Sequence, residues 1–227
     1  TASYSVLPEL LQCREFVNAD EIAKGLSPFN PESVAIEAGK LMLQRINLLL
    51  SQGKTFAIET TLSTRSYASL IKEAHEKGYL VVLLFFWLPS PEMAIERVAK
   101  RVSEGGHNIP TETIIRRYWL GLQNFFHIFA HVVDSWMFFK NIDKTTLLAD
   151  QDSIYSSTLF SKIKQSCQKK EKLDLKEKII KGLNQSYENL LRRKAALGQD
   201  MVFADENGQP RIVSARKTLE DYEKKHG

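Results

Sequence analysis

Through about residue 150, apolar positions alternate between short unbroken runs and runs with helical spacing. Glu15 to Asn18 reads as a short strand. Asn30-Pro31-Glu32 opens a helix to about Leu50, with Val34, Ile36, Leu41, Leu43, Ile46 and Leu50 as its apolar positions, and Gly53 ends it. Thr55–Glu59 is the next strand, and a helix from about Thr64 to Lys77 stops at Gly78, a C-terminal cap signal. Tyr79 to Trp87 is continuously apolar, as a central parallel strand covered on both faces should be. Pro91 starts a helix at its first turn. A helix of about Thr111 to Val132 then leads to strands at Trp136–Phe139 and near Thr145–Ala149. Alternating strands and helices predict an α/β fold with a doubly wound, mostly parallel sheet.

Residues 2–11 read as the remainder of a helix. Gly105-Gly106-His107-Asn108-Ile109-Pro110 interrupts two helices and reads as a mobile lid. The lysine-rich stretch Lys162 to Lys178 marks the boundary between domains 1–161 and 162–227. Beyond it Ile179, Ile180, Leu183, Tyr187, Leu190, Leu191 and Ala195 form a helical stripe. A hairpin turning at Asn207-Gly208 and a short charged helix complete a small α+β appendage.

Composition narrows the classes. The chain of 227 residues is 43% hydrophobic and 26% charged, ordinary values for a globular protein. Its longest apolar run is about half of what a membrane-spanning helix needs, and no signal peptide opens it, so a cytoplasmic location is expected and a membrane partner is not. Cys13 and Cys167 are far apart and give neither a disulfide framework nor zinc spacing; no metal ligands are predicted. Net charge is +4, made of −2 over residues 1–161 and +6 over residues 162–227. The main body is therefore no nucleic-acid surface, and the basic tail interleaves its charges with acids, which makes a nucleic-acid partner unlikely.

Two strand ends carry the candidate chemistry. Phe16-Val-Asn-Ala-Asp20 delivers an aspartate, and Phe56-Ala-Ile-Glu59-Thr60-Thr61-Leu62 delivers a glutamate and two hydroxyls. Ligands of open α/β sheets sit beyond the carboxyl ends of the strands, so the two ends aim a base and a polar clamp at one crevice. The plainer roles are a helix N-cap for Asp20, a salt bridge for Glu59 and a cap for Thr61. For Arg97, Arg101, Arg116 and Arg117 the plainer role is a solvated basic face.

Phe16-Val-Asn-Ala-Asp-Glu-Ile-Ala-Lys-Gly-Leu-Ser-Pro-Phe29, Glu59-Thr-Thr-Leu-Ser63 and Arg97-Val-Ala-Lys-Arg-Val-Ser-Glu-Gly-Gly-His-Asn-Ile-Pro110 resemble the zeta-toxin-like P-loop kinases, in the right order and across about residues 1–150. The resemblance implies ATP-dependent phosphoryl transfer to a hydroxyl of a small molecule, a nucleotide sugar among the candidates. It implies Asp20 as general base, Glu59 and Thr61 as substrate-binding residues with Arg65 nearby, and ATP and Mg2+ as donor and cofactor. Arg101 with Arg116 or Arg117 would supply cations to the transferring group on closure of the lid. Arg97 is placed on the nucleotide side, as is Thr1, which matches the position just after the family's magnesium-binding hydroxyl. The resemblance also implies an antitoxin protein as partner.

Two departures matter. Ser63 stands where sugar-nucleotide-phosphorylating members have an arginine. The G-x-x-x-x-G-K-[ST] phosphate loop is absent from the sequence, and Gly53-Lys54-Thr55 precedes a strand instead of following one. The chain is thus expected to be truncated before its phosphate loop and to bind ATP poorly. The alternative is a degenerate, non-catalytic module with a kinase fold.

Overall fold

A short apolar run becomes a strand only where a second run lies beside it. A computed structural model of the chain describes residues 13–104, 106, 108–142 and 144–226. The helix expected over residues 2–11 lies outside the described residues. β1 (Phe16–Val17) pairs in parallel with β2 (Ala57–Ile58), placing Phe16 opposite Ala57 and Val17 opposite Ile58. Between them run helix α1 (Ala19–Leu26), a 3-10 turn (Pro31–Val34) and helix α2 (Ala35–Ser51). After helix α3 (Tyr67–Glu76), β3 (Val82–Trp87) runs parallel to β4 (Ser135–Asn141), which turns back antiparallel into β5 (Thr145–Asp150). Helix α4 (Pro91–Ser103) and helix α5 (Thr111–Asn124) connect β3 to β4, and α5 continues through a π-helical stretch (Phe125–Phe129) into α6 (Ala130–Val132).

The α/β class with parallel pairing is as expected. Over residues 13–150 the described ladders form two separate sheets, β1-β2 and β3-β4-β5; a single doubly wound sheet is not seen among the described residues. A hydrophobic run reports that a segment is covered but not which strand lies next to it, because pairing is decided far along the chain. Cover on both faces also fails at the start of the third run, where Leu80 and Val82 are exposed.

Helix α2 shows a similar correction. Its buried positions are Ala38, Met42, Ile46, Leu49 and Leu50, a clean helical stripe, whereas Ile36, Leu41 and Leu43 are exposed. The expected stripe mixed two faces. The buried one packs with Val17 and Ala74 beneath the β1–β2 pair. The larger core gathers Leu62, Trp87, Leu122, Phe125, Phe129, Phe138 and Leu148. Phe125 and Phe138 are fully buried there with their ring centroids 5.0 Å apart, edge to face.

The chain divides into two compact units, Thr1–Gln168 and Lys169–Gly227. Helix α7 (Ser157–Ala196) supplies residues to both. The lysine-rich stretch expected to be a boundary is helical throughout. Lysine, glutamate and leucine are strong helix formers, and Lys170 pairs with Asp174 one turn on at 2.7 Å. Within the second unit β6 (Asp200–Ala204) and β7 (Pro210–Ser214) form the expected hairpin, followed by helix α8 (Ala215–His226). Gly208 takes φ of +78°, and the Asp205 carboxylate accepts the N–H groups of Asn207 and Gln209. Leu191, Ala195, Met201 and Ala215 are the buried centre of this unit. Among the described residues no helix is long and apolar enough to cross a membrane.

Candidate functional site

The β1 strand ends at Val17, and Asn18 caps the helix that follows. Its side-chain oxygen accepts the N–H of Asp20 at 2.8 Å, the usual geometry of an N-cap. Asp20 is therefore not the cap, and its plainer role is already taken. Its carboxylate sits in the first turn of α1, where the helix dipole favours negative charge, and faces Arg101 Nη1 at 3.4 Å. The other end of the Asn18 amide donates to Glu59 Oε2 at 3.1 Å, and the Glu59 N–H donates to the Val17 carbonyl at 3.2 Å. One asparagine thus ties together the two strand ends that carry Asp20 and Glu59.

Arg101 closes this corner from the last turn of α4. Its Nε and Nη2 are buried and have no hydrogen-bond partner among the described residues. Buried donors without partners are rare, because each forfeits its bonds to water. The Arg101 carbonyl accepts the Gly106 N–H at 2.8 Å, and a Cβ on Gly106 would lie 2.6 Å from Arg101 Cγ. Glycine is what lets the chain turn back against Arg101 here.

The Glu59–Ser63 segment is built differently. Leu62 is buried and takes φ of +58°, the left-handed region that a leucine rarely occupies. Its N–H is held by Thr60 Oγ1 at 3.2 Å and its carbonyl by the buried Asn124 amide at 2.9 Å. Gly121 on the same helix lies so close that a Cβ there would be 2.4 Å from the Thr61 carbonyl oxygen. Thr61 itself is exposed, with Oγ1 2.9 Å from Ser63 Oγ. Helix α5 therefore clamps the turn and leaves the Thr61 hydroxyl facing outward.

The remaining candidates are placed apart from this cluster. Arg97 Nη2 donates to the carbonyls of Asn141 at 2.6 Å and Ile142 at 3.3 Å, fastening α4 to the β4–β5 turn. Arg116 is exposed and Arg117 half-buried; among the described residues neither forms an ion pair, and the same holds for the exposed Arg65. Thr1 and His107 lie outside the described residues. Among those that are described, no group of three or more His, Cys, Asp or Glu side chains is placed to hold a metal ion. Cys13 and Cys167 are both buried and are not joined in a disulfide.

Three residues escaped the sequence reading. Asn18 carried a signal, an N-cap residue just ahead of a helical run. Gly121 carried a weaker one, an isolated glycine within a helix, which marks close packing. Asn124 had no local signal, because only the fold brings the Leu62 carbonyl to it.

Residues 167–224 match a domain of unknown function, DUF8506. An uncharacterized protein of Haemophilus influenzae is 31% identical over 102 residues, covering 45% of this chain and 73% of that protein. A structure from the characterization of the PezAT chromosomal toxin-antitoxin system of Streptococcus pneumoniae aligns with a TM-score of 0.46 at 14% identity, over 70% of this chain and 75% of that one. The Zeta toxin family matches residues 12–153, the span that carries Asp20, Glu59, Thr61 and Arg101, and the chain belongs to that family.

Proposed function

We propose that the cluster around Asp20 is the acceptor side of a phosphoryl-transfer site of P-loop kinase type, acting on a hydroxyl of a small molecule with ATP as donor. The observation that carries this reading is Arg101, a guanidinium beside a carboxylate with two buried nitrogens that have no partner among the described residues. Unmet donors of this kind suit the oxygens of a phosphoryl group, which arginine recognises through two parallel hydrogen bonds. Asp20 takes the proton of the acceptor hydroxyl, whose oxygen then bonds to the γ-phosphorus as the bond to ADP breaks. Glu59, steadied by Asn18, and the outward Thr61 hydroxyl hold the acceptor through its other polar groups, and a nucleotide sugar offers enough of them. Arg101, with Arg116 or Arg117, offsets negative charge on the transferring group. Mg2+ would supply further neutralisation of the phosphates when bound. On family grounds the partner is proposed to be an antitoxin protein.

Asp20→Asn tests the base. The carboxamide keeps the shape of the side chain but cannot take the proton. In a chain that carries a phosphate loop ahead of Thr1, phosphoryl transfer from ATP, measured by ADP release with a panel of hydroxyl acceptors, should fall about 10²- to 10⁴-fold while the melting curve stays in place. Unchanged turnover in this variant would reject the assignment of Asp20.

A further inference from the structure

The second unit presents a face that its own core does not use. Leu175, Ile179, Ile180, Leu183 and Leu190 of α7 are 42–64% exposed, although they share the helix with the buried Leu191 and Ala195. At 3.6 residues per turn these five side chains, with Lys172, Lys176 and Arg193, fall in one arc of roughly 140°. Lys172, Lys176 and Arg193 are exposed and form no ion pair among the described residues. The acids of the same stretch, Glu171, Asp174, Glu177 and Glu188, occupy a different arc of roughly 120°. There Asp174 pairs with Lys170 and Glu188 with Arg192. The exposed face is therefore mainly apolar and basic; Tyr187 and Lys194, in the same arc, turn to the unit's own core and hairpin, and Glu177 and Glu188 border it beside Ile180.

We propose that this face of α7 docks an acidic amphipathic helix of another protein, with leucine-like side chains on one stripe and Asp or Glu along it. Three points select that occupant. A contiguous exposed aliphatic patch of this kind marks a contact surface, and its length from Lys172 to Arg193, about 32 Å at 1.5 Å per residue, matches a helix. Lys172 and Lys176 lie inside the apolar arc, not opposite it. A lipid surface, which wants its charges on the far side of the helix, is thereby disfavoured, whereas a facing glutamate answers them. A second copy would set these lysines against basic residues, and phosphates alone would leave the leucines uncovered.

The probe is a synthetic 21-residue helical peptide with a Leu/Ile stripe flanked by Glu, titrated into the full chain by fluorescence anisotropy (about six turns of helix). A peptide of the same length and stripe carrying Lys for Glu is the control. The Glu peptide should bind at least about tenfold more tightly than the Lys peptide. Ile179→Glu with Leu183→Glu should lower its affinity about tenfold or more. Lys172→Glu with Lys176→Glu should reverse the preference between the two peptides. Circular dichroism melting confirms that each double variant, made at exposed positions, is folded. Equal affinity for both peptides, or no binding, would overturn the proposal. So would a preference for phosphatidylserine vesicles or duplex DNA over the Glu peptide, or a dimer of this chain that Leu183→Glu dissolves.

Discussion

The two sides of the candidate site are stabilised in opposite ways. The Glu59–Ser63 turn is held from behind: Leu62 is buried in a strained conformation, Asn124 takes its carbonyl, and Gly121 admits the Thr61 backbone at close range. The Arg101 corner is under-satisfied, with one long contact to Asp20 and two buried nitrogens that have no hydrogen-bond partner among the described residues. Strain in the first is offset by surrounding packing, so that side is preorganised before any ligand arrives. In the second, hydrogen-bonding capacity is left open, so a bound anion would gain bonds that the free protein lacks. One part of the candidate site is thus preorganised, and the other is left with unmet hydrogen-bonding capacity.

Substitutions can break this contrast, and the preorganised side should suffer most. Gly121→Ala drives a methyl group into the Thr61 carbonyl and should cost about 2–3 kcal/mol of stability, read as a lower melting temperature. Asn124→Leu leaves the buried Leu62 carbonyl unpaired and should cost about 1–2 kcal/mol by urea denaturation. On the other side Arg101→Met should leave the urea midpoint within about 0.5 kcal/mol of the parent, or raise it, because the buried donors disappear with the charge. A large loss of stability in Arg101→Met would mean that the corner is structural, and the contrast would fail.

A pair outside both regions gives the smallest effect. The Val81 N–H and then His75 hold the Asp134 carboxyl below its ordinary value. A carboxyl lowered in the folded state adds stability that is complete above the ordinary carboxylate range, near pH 4, and is lost as pH falls through its folded value. Asp134→Asn should therefore flatten the acid limb of a melting-temperature profile and leave the site unaffected.

Much of the fold was legible because its cause is local. Asn-Gly with flanking β-formers predicts the hairpin at residues 200–214, and it is there with Gly208 at positive φ. The strand ends at Asp20 and Glu59 were legible too, since each is a short apolar run followed by polar groups. Helix α2 was found in the right place but with a stripe that mixed two faces, Ile46 and Leu50 buried and Ile36, Leu41 and Leu43 exposed, because its apolar residues surround more of the helix than one core can cover. The two compact units divide after Gln168, within the lysine-rich stretch, and the chain is helical there, since charge density alone does not break a helix with favourable i,i+4 pairs.

Sequence by itself determined the order of elements, the two candidate strand ends, and a motif set that places the chain in the zeta toxin family. Tertiary structure alone decided that Asn18, not Asp20, caps α1, that Asn18 joins Asp20 to Glu59, and that Arg101 buries two nitrogens that have no partner among the described residues. It also decided that Leu62 is forced into its conformation by a helix some sixty residues downstream. Periodicity and capping act over one or two turns of chain, so they can be read from neighbours. Which carbonyl meets which amide depends on how distant segments pack, and those partners exist only once the chain has folded.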